Sequence, residues 1–89
     1  MTQKIVTVTN KLGLHARPSA LLVRAATKYR SEFFIEKDGM KINGKSIMGV
    51  MMLAAGIGSQ VTLETDGEKE LEASDAILAL INDKLGEGE

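Results

Sequence analysis

A chain of 89 residues with 44% hydrophobic content is long enough for one core and one domain, spanning residues 1–89, and too apolar to stay disordered. The absence of cysteine excludes disulfides, thiolate nucleophiles and zinc–sulfur sites, and suits a reducing compartment. A net charge of −1, scattered Lys and Arg, and only Tyr29, Phe33 and Phe34 as aromatics argue against nucleic acid, which selects a basic surface with stacking rings.

In chain order, Lys4 to Thr9 alternates and is β-branched, so it reads as a strand with Val6 and Val8 on one face. Asn10 to Gly13 is a turn. Ala16 to about Tyr29 is helical, with Ser19, Leu22, Val23, Ala26 and Tyr29 on one face. Pro18 belongs in the first turn, where its missing N–H costs nothing. Glu32 to Lys37 is a second strand, Asp38-Gly39 a two-residue hairpin turn, and Met40 to Asn43 the return strand. Ser46 is the expected N-cap of a short helix from Ile47 to about Ala54, with Gly56 as a left-handed stop.

Gln60 to Thr65 alternates again, with Val61 and Leu63 sharing a face, and Asp66-Gly67 turns the chain. Glu70 to Leu85 is the last helix, with Leu71, Ser74, Ile77, Leu78, Ile81 and Leu85 as its stripe. Glu68, Glu70 and Glu72 crowd its start and Lys84 sits near its end, as the helix dipole favours. Gly86 stops it, and the final residues read as a frayed tail. The order β-α-β-β-α-β-α predicts an α+β domain in which three helices cover one face of a four-stranded antiparallel sheet.

No run reaches the ~18 consecutive apolar residues of a membrane span, and the N-terminus lacks the apolar run of a signal peptide. A cytoplasmic protein without membrane insertion is expected. One histidine and no cysteine, with no EF-hand spacing, leave no metal site or cofactor to expect.

The most informative stretch is Gly13-Leu14-His15-Ala16-Arg17-Pro18-Ser19. His15 stands just ahead of a helix, off its core stripe. A helix N-terminus offers open N–H donors and a partial positive charge, a ready site for an anion. Arg17 adds a permanent cation able to grip two phosphoryl oxygens. Imidazole is a usable nucleophile near neutral pH. Nucleophile, donors and charge neutralisation together fit phosphoryl transfer. No GxxxxGK[ST] cradle is present, so the phosphoryl donor must arrive on another protein or as a small molecule bound elsewhere. On these residues alone, an ordinary loop histidine beside a solvated arginine is the preferred reading.

The run LGLHARPSA together with GKSIMGVMMLAAG resembles the HPr family, the histidine-containing phosphocarriers of the bacterial phosphoenolpyruvate:sugar phosphotransferase system. The likeness covers nearly the whole chain. It implies an open-faced β-sandwich, and a carrier rather than an enzyme. Enzyme I would pass phosphate from phosphoenolpyruvate to Nδ1 of His15, which would hand it to enzyme II A domains. Arg17 would neutralise the phosphoryl group, and the helix N-terminus, Ala16 included, would receive it.

Leu21 lies off the core stripe of the first helix, flanked by Ala20 and Arg24. Ile47, Met48, Met51 and Met52 cover more than one side of the short helix and cannot all face inward. Val50 and Leu53 are expected in the core. Ala20, Leu21, Arg24, Ile47, Met48 and Met51 match the family's shared contact surface, and methionine suits a surface that must fit several partners.

Ser46 alone reads as a capping serine. The motif KSIMGVM also resembles the class phosphorylated by an HPr kinase/phosphorylase, so Ser46 is an expected regulatory site, read by a transcriptional regulator. Leu12 is a departure: an apolar residue there is a feature of the nitrogen-related NPr branch, whereas the Ser46 context is that of the sugar branch and outweighs it. A monomer is expected. Two other functions remain: a mainly regulatory binding module, NPr-like or in catabolite control, and an interaction domain without phosphochemistry.

Overall fold

Stretches whose burial alternates become strands, and stretches whose burial recurs every three to four residues become helices. The computed structural model describes residues 1–9, 13–14, 16–53 and 56–83. Their order is β1 (Thr2–Thr7), α1 (Ala16–Ala26), β2 (Glu32–Lys37), β3 (Met40–Asn43), α2 (Ile47–Met52), β4 (Gln60–Asp66) and α3 (Glu70–Asn82). This is the expected β-α-β-β-α-β-α succession.

The strands form one antiparallel sheet in the order β1-β4-β2-β3. Val6 is paired with Val61, and Ile35 with both Leu63 and Ile42, so these side chains share a face. The core joins that face to Leu22 of α1, Val50 of α2, and Ile77 and Ile81 of α3. All three helices therefore cover the same side, and the fold is an open-faced β-sandwich. At the β2–β3 turn, Asp38 (φ 51) and Gly39 (φ 83) both have positive φ, the twist-compatible hairpin geometry.

The opposite face stays open and is polar. Ile5 is 70% exposed there, while Glu64 is 8% exposed. Glu64 accepts from Lys41 Nζ at 2.8 Å and Gln3 Nε2 at 2.9 Å, and both hold its carboxyl below the usual range, Lys41 more strongly. The Lys41 ammonium lies 5.1 Å from the Phe34 ring centroid, a favourable cation–π distance.

Four expectations are corrected. Strand β1 begins at Thr2 and ends at Thr7, although Val8 still exchanges backbone bonds with Ser59 and Gly58. Helix α1 ends at Ala26 rather than near Tyr29, because the N–H groups of Lys28 and Tyr29 reach back only three residues, to Ala25 and Ala26, a tightened last turn. The positive φ after α2 falls on Gly58 (φ 86), not Gly56. Leu71 is 63% exposed. The buried stripe of α3 is Ala73, Ser74, Ile77 and Ile81, which sit over β1 and β4 and leave Leu71 outside. The expectations for Asn10 to Leu12, Ala54, Lys84, Leu85, Gly86 and the tail lie outside the described residues.

Candidate functional site

The chain reaches α1 through Gly13, whose φ of 67 favours glycine. Leu14 is buried, and its carbonyl accepts the Ser19 hydroxyl at 3.0 Å, with Ser19 fully buried. Pro18 is buried in the first turn, as expected. This bond ties the approach segment to the helix it enters. Ala16 is the first residue of α1 and Arg17 the second, and both are exposed. His15 lies outside the described residues; in sequence it stands between the buried Leu14 and the exposed Ala16.

Electrostatically the first turn of α1 is open. It contains no acidic residue, so no carboxylate within the turn offsets the partial positive charge of the helix start. The start of α3 is the contrast, with Glu70 and Glu72 in its first turn. Of the two, the α1 start is the more receptive to an added anion.

Helix α2 packs against α1 and β3. Ser46 is its N-cap, in extended geometry, and its hydroxyl accepts the Gly49 N–H at 3.1 Å. A Cβ at Gly49 would stand 3.3 Å from the Asn43 carbonyl, so a bare backbone there keeps the cap tight. Val50 and Leu53 point into the core, as expected. Ile47, Met48, Met51 and Met52 remain exposed, Met48 at 75%. On the neighbouring helix, Ala20 and Leu21 are half-buried and Arg24 is exposed.

The structure therefore brings the α1 and α2 groups onto adjacent helices. The exposed apolar surface also extends beyond the expected contact set. Met52, four residues beyond Met48, and Ile57, in the connection that follows α2, are exposed as well. The Ser19 hydroxyl bond to Leu14 lies outside helical periodicity, so spacing alone does not predict it. Among the described residues no group of three or more His, Cys, Asp or Glu could hold a metal, and no helix is long and apolar enough to cross a membrane.

The family model described as PTS HPr component phosphorylation site matches residues 2–83. Phosphocarrier protein HPr of Cupriavidus necator is 58% identical over 89 residues, covering 100% of both chains. HPr-like protein Crh of Halalkalibacterium halodurans is 56% identical over 81 residues, covering 91% of this chain and 96% of the relative. A crystal structure of HPr-C-His from Thermoanaerobacter tengcongensis superposes with a TM-score of 0.94 at 46% identity, covering 98% of each chain. The chain belongs to the HPr family of phosphotransferase-system phosphocarriers. Its family is one of carriers, not of catalytic enzymes. A structure of an HPr dimer from the same Thermoanaerobacter also matches, with a TM-score of 0.78, 46% identity and 98% and 100% coverage. That overturns the monomer as a default inference from the family.

Proposed function

We propose that His15 accepts a phosphoryl group from phosphorylated enzyme I and passes it to enzyme II A domains in sugar uptake. The observation that carries this reading is the start of α1: Ala16 and Arg17 exposed, with no acid in the first turn, directly after His15 in sequence. Neutral imidazole attacks phosphorus through Nδ1 and keeps its proton on Nε2. The new N–P bond forms as the bond to the donor breaks, and the donor keeps that electron pair. Arg17 and the first-turn N–H donors then balance the added charge. Onward transfer is the same displacement, with His15 as the leaving group.

Ala20, Leu21, Arg24, Ile47, Met48 and Met51 form the docking surface for enzyme I and the A domains. Exposed apolar side chains on α2, beside the half-buried Ala20 and Leu21 of the packed α1, support this role, and Arg24 favours acidic partner surfaces. These partners place the protein in the cytoplasm.

Ser46 is the regulatory site, phosphorylated by an HPr kinase/phosphorylase. A phosphate there adds about two negative charges amid Ile47, Met48 and Met51, which disfavours acidic partners and offers a transcriptional regulator a new feature to bind. The relative named Crh, at 56% identity, favours a second reading, in which the chain acts mainly as a regulatory binding module. Incubation with phosphoenolpyruvate, enzyme I and a panel of A domains separates the two. Rapid onward transfer supports the carrier, phosphorylation without any acceptor supports the regulator, and no acid-labile phosphate on His15 contradicts both.

A further inference from the structure

Beyond the end of α1, two segments distant in sequence come together. Gly67 (φ 121) lies so close to Ser31 that a Cβ would stand 3.4 Å from the Ser31 Cα. Two residues later Lys69 adopts the left-handed conformation (φ 59) as the N-cap of α3, with no side-chain capping bond. Between the segments is a cleft of about 210 Å³ lined by Lys28, Tyr29, Arg30, Glu68 and Lys69. Helix α1 is 11 residues long, so about 16 Å of helix separates this cleft from Arg17.

The charge of the cleft is unbalanced, with three cations against one carboxylate in a chain of net charge −1. Elsewhere lysines find partners: Lys4 pairs with Asp75, Lys37 with Asp38 and Lys41 with Glu64. Among the described residues, Lys28, Arg30 and Lys69 make no ion pair. The nearby Glu70 does not compensate them, because its carboxylate is taken up by Thr2, the terminal ammonium and the Gly67 N–H. Lys45 adds a fourth cation behind the segment, its Nζ donating to the Tyr29 carbonyl at 2.8 Å. The Ser31 hydroxyl, next in the chain to Arg30, is buried without a partner.

We propose that this cleft binds a small organic phosphate. An arginine with two flanking lysines supplies the forked and point-charge donors that a phosphate dianion takes up, and Tyr29 gives a wall for a short carbon skeleton. The volume lies below the ~300 Å³ at which drug-sized ligands begin, which selects a phosphomonoester of a few carbons over a nucleotide. The site is independent of chemistry at His15.

The test is an amide NMR titration of the unphosphorylated full chain with glycerol 3-phosphate at low ionic strength, beside inorganic phosphate and glycerol. Saturable shifts are expected at Lys28, Tyr29, Arg30 and Lys69, with glycerol 3-phosphate binding tighter than inorganic phosphate and glycerol not binding. Lys28→Gln with Lys69→Gln should weaken binding about tenfold, the loss of charge-assisted bonds, without altering the spectrum elsewhere, whereas Arg17→Gln should leave these shifts unchanged. Shifts that do not saturate, that spread equally over Lys37 and Lys41, or that survive the double substitution would overturn the site. Equal affinity for the ester and inorganic phosphate would overturn the organic ligand.

Discussion

The hydroxyl of Ser19 is bonded to the carbonyl of Leu14 at 3.0 Å, and both residues are buried. The bond spans the position of His15 in the chain and fixes how the backbone enters α1. Ser19→Ala removes a donor and leaves a buried carbonyl short of a partner, a loss of about 1–2 kcal/mol. Thermal unfolding should register that loss. The rate of His15 phosphorylation should fall as well, and an unchanged rate at lower stability would show that the tie supports the fold alone.

At Ser46 the structural and regulatory roles separate by substitution. Ser46→Ala loses the bond from Gly49 and should cost about 0.5–2 kcal/mol. Ser46→Asp keeps a capping acceptor and should retain near-native stability, yet slow phosphorylation of His15 by enzyme I. Equal stopped-flow rates for wild type and Ser46→Asp would remove the regulatory reading of the charge.

Met48 and Met51 are 75% and 41% exposed, so Met48→Glu and Met51→Glu should change stability by less than about 0.5 kcal/mol. Both should slow transfer from enzyme I. Ile5→Glu, on the open face of the sheet, is the matched control and should leave transfer unchanged. Were all three to transfer at the wild-type rate, the apolar surface of α2 would not be a docking surface.

The acid limb of stability has an assignable source. The Thr2 hydroxyl, then the terminal ammonium and the Gly67 N–H, pull the Glu70 carboxyl down from 4.5 to about 2. A folded value below the unfolded one means that the ionised form favours the native state. Its contribution is full above about pH 4.5 and is lost as pH falls towards 2. The terminal ammonium is raised above 8.0, chiefly by its bond to Glu70, so its share is present below pH 8.0 and disappears as pH rises through the folded value. Glu70→Gln should flatten the fall of Tm between pH 4.5 and 2, and an unchanged slope would place the acid sensitivity elsewhere.

Local signals and long-range pairing were legible to different degrees. Strands β2 and β3 match their expected ranges because Asp38-Gly39 marks the turn and the flanking residues alternate. Ser46 was recognisable as a cap because capping is a three-residue relation. The exposure of Leu71 was not legible, since a helix pattern with several apolar residues does not say which of them the sheet will cover. The burial of Glu64 depends on Gln3 and Lys41 from other strands, and the cleft at Lys28 and Lys69 on a contact between Ser31 and Gly67. At the site, the helix start and Arg17 could be read from spacing, whereas the Ser19–Leu14 tie forms only in the folded chain. His15 itself rests on the sequence motif and the family.

The central claim is that His15 carries the phosphoryl group. Intact-mass spectrometry after incubation with phosphoenolpyruvate and enzyme I tests it most directly. Wild type should gain one acid-labile phosphoryl group and lose it on addition of an enzyme II A domain, while His15→Ala, still folded, should gain none. A His15→Ala protein that is phosphorylated as fully as wild type, or a wild type that never is, would contradict the account.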